Sequence, residues 1–310
     1  MRTLVVGAGA IGGYFGGRLL AAGRDVTFLV RPRRAQQLRD YGLNIDSPVG
    51  NVSIANPPTV LAENLRPQFD LVLLSCKAYD LEGAIQSFAP AVGPDTVILP
   101  LLNGFGHLDA LDARFGASAV MGGLCFISVT LDATGRIGHF AAHQSLSFGE
   151  RDRSRSQRSE AILRELQGGR FDVVRSDNII QDMWEKWVFI ASGAGITSLM
   201  RTPVRDYMAA GGGELALRLI DECAQIASRA GHPPSQATVA RAQAFLTAPD
   251  SDFVASMARD IEKGSRTEVE HILGDMLRRR TDAPNGLSLL DVACAHVRAY
   301  ESRRARTATP

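Results

Sequence analysis

A single lysine stands at the start of an uncharged stretch in the second half of the chain. Lys186 belongs to the run MWEKWVFIASGAGITSLM, in which no residue from Trp187 to Met200 carries a charge. Partial burial lowers the pKa of an amine and makes it a better proton donor near neutral pH. A lysine at the head of a buried helix can also lay its stem on apolar surface and keep its ammonium in water. The stretch therefore allows a catalytic or a purely structural role for Lys186.

Three glycines near the N-terminus have the spacing of a dinucleotide-binding loop. Gly7, Gly9 and Gly12 form GAGAIG directly after an apolar run and directly before a helical pattern. The first glycine permits a tight turn, the second lets the backbone approach a pyrophosphate, and the third allows the helix to pack closely on the strand. The amides at the start of the helix, around Ala10 and Ile11, face the anion. We predict that these five residues bind a dinucleotide cofactor.

Arginines follow the second predicted strand, where an acidic residue usually selects NAD. The segment is VRPRR, with Arg31, Arg33 and Arg34 and no acid. A planar guanidinium suits the 2′-phosphate of NADP(H), which a carboxylate would repel. We therefore predict NADPH as the cofactor and Arg31 as its ligand. Arg33 and Arg34 are expected to be solvated surface residues.

Two further polar residues follow predicted strands. Lys77 comes after FDLVLLSC, and Asn103 with Gly104 comes after DTVILPLL. Ligands of open α/β folds bind at the carboxyl ends of the strands. Each residue could also be an ordinary loop residue. We expect both to lie on the cofactor side of the sheet.

Strand-like and helix-like patterns alternate through the first half of the chain. Apolar runs at residues 3–7, 25–30, 69–75 and 95–101 are each followed by a helical pattern. This alternation is typical of βαβ units around a parallel sheet. The segment 118–150 has mainly strand character, so we expect it to extend the same sheet.

The fold class predicted is α/β, with an N-terminal Rossmann-type doubly wound domain followed by a mostly α-helical C-terminal domain. The boundary is placed by a change of pattern, because long helical patterns with almost no strand signal begin at about Asp177. We assign residues 1–176 to the first domain and 177–310 to the second. The tail SRRARTATP is expected to fray.

The overall charge argues for a small partner. Lys plus Arg number 34 and Asp plus Glu 33, so there is no strong basic field to attract nucleic acid or anionic lipid. The uncharged stretch after Lys186 is shorter than the about 20 residues that span a bilayer, and its length predicts a buried core helix. The apolar core of MRTLVVGAGAIGG is too short for a signal peptide. We expect a small-molecule partner, no nucleic acid and no membrane, and leave a homodimer open.

The cysteines and histidines indicate neither a disulfide framework nor a metal site. The four cysteines are scattered without a CxxC motif (Cys76, Cys125, Cys223 and Cys294). Reduced thiols fit a cytoplasmic protein. Lone histidines are more often surface or core residues than ligands, and we expect no metal.

Several motifs together resemble the ketopantoate reductase (2-dehydropantoate 2-reductase) family. They are GAGAIGG, the arginine after the second strand, SCKAYD, LLNGFG, WEKWVF and SMARDIEKGSRTEVEHILG. The resemblance covers nearly the whole chain. It implies an NADPH-binding Rossmann domain, a helical substrate domain and reduction of 2-dehydropantoate to pantoate, a step of pantothenate biosynthesis.

The resemblance also implies roles for particular residues. Lys186 matches the general acid that protonates the carbonyl oxygen, and a carboxylate at Glu268 would hold that amine in place. Asn103 matches an asparagine beside both substrate and nicotinamide. Ser256 and Glu268 match residues that contact substrate, and Lys77 matches a lysine near the cofactor. On this basis the catalytic role of Lys186 is favoured over the structural one.

Two positions depart from the family pattern. The family carries asparagines four and eight residues after the lysine, where this chain has Ile190 and Ala194. Neither side chain can form a hydrogen bond. Either other groups hold ketopantoate, or the substrate is a different 2-oxo acid with a more apolar tail. A third alternative is a non-catalytic NADP(H)-binding redox sensor, which would have no use for a proton donor.

Overall fold

The chain forms two compact units. The computed structural model describes residues 1–281 and 287–307. Residues 1–102 and 107–180 make up the first unit, and residues 103–106 and 181–310 the second. The change of unit thus falls at residue 180, close to the change of sequence pattern. The short segment 103–106 belongs with the helical unit although it lies within the first half of the sequence.

The first unit contains ten strands and five α-helices among the described residues, besides short 3-10 turns. The strands are β1 (Arg2–Val6), β2 (Asp25–Leu29), β3 (Leu43–Asp46), β4 (Val52–Ile54), β5 (Thr59–Val60), β6 (Leu71–Leu74), β7 (Val97–Pro100), β8 (Gly122–Leu131), β9 (Ile137–Gly149) and β10 (Asp172–Arg175). The helices are α1 (Ala10–Ala21), α2 (Pro32–Tyr41), α3 (Leu81–Phe88), α4 (Gly106–Phe115) and α5 (Gln157–Gln167).

Five of these strands form a parallel sheet in the order β5-β2-β1-β6-β7. Strand β1 is central, and Val5 pairs with Phe28 on one side and with Leu73 on the other. Every residue of β6 and β7 is buried. Strands covered on both faces are apolar throughout rather than alternating. The predicted doubly wound α/β core is confirmed.

Apart from one parallel bridge between Val120 and Ile98 of β7, the segment 118–150 does not extend that sheet, so this expectation was wrong. Strands β8 and β9 form an antiparallel hairpin that belongs to a second sheet, with the order β10-β9-β3-β4 and β8 paired to β9. A turn at residues 132–136 closes the hairpin, with the amide of Asp132 donating to the carbonyl of Arg136. Because β9 pairs with both β3 and β10, the hairpin is held in the second sheet.

The second unit is built from helices in its described part. They are α6 (Ile179–Met200), α7 (Val204–Ala209), α8 (Gly213–Arg229), α9 (Gln236–Leu246), α10 (Ser256–Glu262), α11 (Asp275–Arg278) and α12 (Leu289–Thr307), with one π-helical turn at Glu270–Gly274. Helix α12 continues through most of the tail that was expected to fray, and residues 308–310 lie outside the described residues.

Helix α6 carries the uncharged stretch, and most of that stretch is buried. Its polar side chains bond backward to the helix itself: Ser192 Oγ donates to the carbonyl of Val188 and Thr197 Oγ1 to that of Gly193, each at 2.7 Å. Such bonds satisfy a hydroxyl that has been removed from water. The stretch is therefore a core helix. Among the described residues, no helix has both the length and the apolar character needed to cross a membrane.

The third glycine of the N-terminal loop supplies a stability test. A Cβ on Gly12 would overlap the carbonyl oxygen of Gly7 and the hydroxyl of Ser75. We predict that Gly12→Ala lowers the free energy of unfolding by about 1–3 kcal/mol, because backbone must move to make room. Gly83→Ala is the matched control, since a Cβ there meets nothing within 4 Å. Urea denaturation of both variants checks this, and equal midpoints would contradict it.

Candidate active site

The glycine loop has the geometry of an anion site. Gly7 adopts a φ of +93°, which an L side chain rarely tolerates, and its amide donates to the carbonyl of Leu29 at 2.9 Å. Gly9 is the N-cap residue of α1. Because glycine has no side chain, it forms no capping hydrogen bond with the first amides of the helix. A Cβ on Gly9 would meet nothing within 4 Å, so this side of the loop is open. A dinucleotide pyrophosphate fits these features.

Arg34 supports this loop and is not the solvated residue that was expected. The side chain is half-buried, and its Nε donates to the carbonyl of Ala8 at 2.9 Å. Its Nη2 donates to the carbonyl of Gly135 at 3.1 Å, in the turn of the β8–β9 hairpin. Burial lowers the pKa of the guanidinium, while the charge of Asp132 acts in the opposite direction. The hairpin turn was unknown from sequence, so nothing local distinguished Arg34 from its neighbour Arg33, which is exposed.

Arg31 and Lys77 lie where sequence placed them, after strands on either side of β1. Arg31 follows β2, and its side chain is 76% exposed. Lys77 follows β6 and precedes a short 3-10 turn at Ala78–Asp80. The guanidinium of Arg31 lies 3.0 Å from the carboxylate of Asp80. Binding of a 2′-phosphate by Arg31 and Lys77 stays a prediction.

The second unit brings Lys186 and Asn103 together. Lys186 is only 6% exposed, and its Nζ donates to Oδ1 of Asn103 at 2.9 Å. These residues are 83 positions apart in sequence. A snorkelling lysine would hold its ammonium in water, and the burial of Lys186 argues against that role. The result is a buried, hydrogen-bonded ammonium on α6.

An aromatic cluster fixes the segment that carries Asn103. We use this name for Phe105, Trp184 and Trp187, whose ring centroids lie 4.9 to 5.3 Å apart. The indole of Trp187 donates to the carbonyl of Ile272 at 3.0 Å. Because two members flank Lys186 on α6 and the third lies two residues after Asn103, the cluster holds both partners of the Lys186–Asn103 bond.

His271 is a site residue that sequence reasoning missed. Its ring lies against the backbone of Gly104 and Gly106, and a hydrogen bond to the Asn103 backbone favours its charged form. Gly104 needs its positive φ of +76°, and a Cβ there would come within 2.7 Å of the His271 carbonyl oxygen. The available signal was its place in the motif TEVEHILG, three residues after Glu268.

Burial lowers the pKa of His271 below its usual value. The charges of Glu268 and Asp275 and the bond to the Asn103 backbone oppose this shift, and Arg278 reinforces it. Glu268 is itself buried. Its charge and the backbone of Asn103 both act on His271, so the three residues belong to one cluster. Ser256 is exposed at the first residue of α10, and its contact with substrate stays a prediction.

Two histidines on the second sheet are four residues apart in sequence. His139 and His143 are separated as HxxxH, but they lie on β9 rather than on a helix. His139 is buried and bonds to Tyr14 and Ser47 through Nδ1 and to the His143 carbonyl through Nε2. Within residues 1–281 and 287–307, no group of three His, Cys, Asp or Glu side chains could hold a metal ion.

Two family models match the chain over most of its length. The model described as ketopantoate reductase PanE/ApbA matches residues 3–153, and the model for the C-terminal part of the same proteins matches residues 178–301. The chain belongs to the ketopantoate reductase family. The predicted resemblance is thereby confirmed, and this ketopantoate reductase family member is an oxidoreductase.

Similar proteins agree with this family assignment. The uncharacterized oxidoreductase YkpB of Bacillus subtilis (strain 168) is 37% identical over 305 residues, which are 98% of this chain and 100% of YkpB. The crystal structure of 2-dehydropantoate 2-reductase from Geobacter metallireducens GS-15 has a TM-score of 0.87 at 25% identity and covers 96% of this chain and 99% of its own.

A third neighbour of this ketopantoate reductase family member carries a different name. The ternary structure of D-mandelate dehydrogenase with NADH and anilino(oxo)acetate has a TM-score of 0.88 and covers 98% of this chain and 100% of its own. Its identity is 22%, so it shows a shared fold alone. The same fold therefore occurs in proteins named as different enzymes, one of which was solved with NADH.

The environment of His271 predicts a pH dependence of stability. Because burial lowers its pKa in the folded state, the unfolded chain takes up the proton first, at a pKa of about 6.5. The free energy of unfolding should therefore fall as pH drops below about 6.5, by at most about 1.4 kcal/mol per pH unit for this one group. His271→Gln should reduce that loss.

Urea denaturation between pH 5 and 8, followed by tryptophan fluorescence, measures this effect. Both tryptophans, Trp184 and Trp187, lie in the same unit as His271 and report on its unfolding. His139 also has its pKa lowered by burial, so His139→Gln is the comparison in the other unit. If the free energy of unfolding of His271→Gln had the same pH dependence as that of the wild type, His271 would not be the group responsible.

Proposed function

We propose that the chain is an NADPH-dependent reductase of a 2-oxo acid, with 2-dehydropantoate as the first candidate substrate and Lys186 as the proton donor. The observation that carries the proposal is the buried hydrogen bond from Lys186 Nζ to Asn103 Oδ1. A buried ammonium is costly unless it is partnered. Its presence is readily explained when a reaction needs its proton.

The reaction requires two transfers to one carbonyl group. When bound, the reduced nicotinamide supplies a hydride to the carbonyl carbon. The oxygen then carries negative charge, and the Lys186 ammonium gives it a proton, so that the product is a 2-hydroxy acid. Oδ1 of Asn103 accepts a hydrogen bond from one of the three N–H groups of the ammonium and so fixes the direction of that group. General acid catalysis of this kind contributes about 10²- to 10⁴-fold in rate.

The choice of NADPH rests on the first unit. The open glycine loop suits a pyrophosphate, and Arg31 and Lys77 follow β2 and β6 at the carboxyl edge of the sheet. Two cations at this edge favour a cofactor with an additional phosphate. NADH is the alternative, because a D-mandelate dehydrogenase of the same fold holds it.

Ile190 and Ala194 favour a substrate more apolar than 2-dehydropantoate as the second candidate. They lie one and two turns after Lys186 on α6, on the same face of the helix. Ile190 is half-buried and Ala194 is 2% exposed. Burial of one additional methylene against such a surface contributes about 0.8 kcal/mol. We propose that this face contacts the substrate tail.

Removal of the amine tests the catalytic role. Lys186→Ala should lower kcat by about 10²- to 10⁴-fold and leave NADPH affinity nearly unchanged. Propylammonium in the buffer should restore part of the rate, since it replaces the missing amine chemically. Lys263→Ala, at an exposed position, is the matched control and should keep full activity. A Lys186→Ala enzyme that retains most of its activity would return the lysine to a structural role.

A second substitution tests the substrate face. Ile190→Asn introduces an amide at the half-buried position and should shift kcat/KM towards 2-dehydropantoate, relative to an apolar 2-oxo acid, by about 2- to 12-fold. Ile190→Leu keeps the site apolar and is the control. Ala194 is left unchanged because an asparagine has little room there. If the Asn and Leu variants gave the same substrate ratio, Ile190 would not face the substrate.

A further inference from the structure

An ion pair joins the carboxyl ends of two strands of the parallel sheet. Arg31 follows β2, and Asp80 ends the 3-10 turn after β6. Strand β1 lies between these two strands, and its last residue, Val6, pairs with Leu29 and with Leu74. The 3.0 Å contact between Arg31 and Asp80 therefore bridges the end of β1, where the glycine loop begins.

The bridge places a carboxylate at the group predicted to receive a phosphate. The side chains of Arg31 and Asp80 are 76% and 36% exposed, so a ligand can reach both. One guanidinium fork binds one planar or tetrahedral anion well, and two anions on it repel each other. A 2′-phosphate bound to Arg31 must displace Asp80 or accept its repulsion.

The same carboxylate suits the other form of the cofactor. In NAD-selective folds an acid after the second strand accepts a hydrogen bond from the ribose 2′-hydroxyl. That acid is absent from the end of β2, where the sequence reads VRPRR. Asp80 provides one from the 3-10 turn that follows β6, at the guanidinium of Arg31. The position thus holds a cation suited to the phosphate and an anion suited to the hydroxyl.

We propose that Asp80 is a specificity-determining residue that competes with the 2′-phosphate for Arg31 and accepts the ribose 2′-hydroxyl of NADH. This proposal rests on the nicotinamide cofactor of the proposed function. Arg31 favours NADPH, and Asp80 reduces that preference. The chain therefore binds both cofactors with a smaller difference than Arg31 alone would give.

Asp80→Asn removes the ion pair with Arg31 and so tests the competition without removing a helix cap. Asp80 is the N-cap of α3 but makes no side-chain capping bond, and asparagine is as good a cap residue. The Kd of NADPH should fall by about 2- to 5-fold, as expected for an exposed ion pair, and that of NADH should rise. The effect on NADPH should shrink at high salt, because exposed charges are screened.

Fluorescence titration of both cofactors gives the dissociation constants for wild type, Asp80→Asn, Arg31→Ala and the double variant. In the Arg31→Ala background, Asp80→Asn should change NADPH affinity less than in wild type, because the competition needs the guanidinium. Asp46→Asn is the control for net charge, since Asp46 is an acid of the same unit whose side chain is 48% exposed and paired with Arg136 at 2.7 Å. It should leave both constants unchanged.

The outcomes separate this inference from the proposed function. A tighter NADPH complex and a weaker NADH complex in Asp80→Asn support the role of Asp80, even if no 2-oxo acid is reduced. Unchanged constants in Asp80→Asn, or the same change in Asp46→Asn, overturn that role while leaving the reductase activity intact. A wild-type chain that binds neither cofactor overturns both proposals.

Discussion

The hydrogen bond from Lys186 to Asn103 imposes the strongest constraint on the second unit. An ammonium removed from water loses several kcal/mol of hydration unless hydrogen-bond acceptors replace the solvent. Asn103 must therefore be held in place, and the surrounding residues do this. Phe105 packs on the two tryptophans beside Lys186, and His271 lies against the backbone of Gly104.

Two unusual backbone conformations lie beside the Lys186–Asn103 hydrogen bond. Gly104 adopts a left-handed conformation that brings the backbone close to His271. His271 lies in a π-helical turn, a rare conformation that often occurs at functional sites. The charge of the buried Glu268 opposes, but does not reverse, the lowering of the His271 pKa by burial. The position of the Lys186 side chain thus depends on segments that are far apart in sequence.

Local sequence patterns predicted a large part of this structure. The alternation of strands and helices indicated the parallel sheet, and GAGAIG indicated the turn in which Gly12 has no room for a side chain. The lack of charge after Lys186 correctly indicated a buried helix. These features depend on periodicity and on glycine conformation, which a short window of sequence records.

Contacts between distant segments were the part that sequence could not supply. Arg34 is half-buried because it contacts the turn of the β8–β9 hairpin, 101 positions away in sequence. The strands of that hairpin pair within the second sheet, which their own sequence does not indicate. His271 is a further example, because it lies against Gly104 and Gly106 of a segment more than 160 positions away in sequence. Residue type and spacing contain no record of such pairings, since many distant partners fit the same local pattern.

Initial rates of NADPH and NADH oxidation with a series of 2-oxo acids, from 2-dehydropantoate to apolar analogues, test the central claim most directly. The account predicts turnover with at least one of these acids, formation of the corresponding 2-hydroxy acid, and higher kcat/KM with NADPH than with NADH. Tight binding of NADPH without turnover of any 2-oxo acid would contradict it, and would instead indicate a non-catalytic NADP(H) sensor.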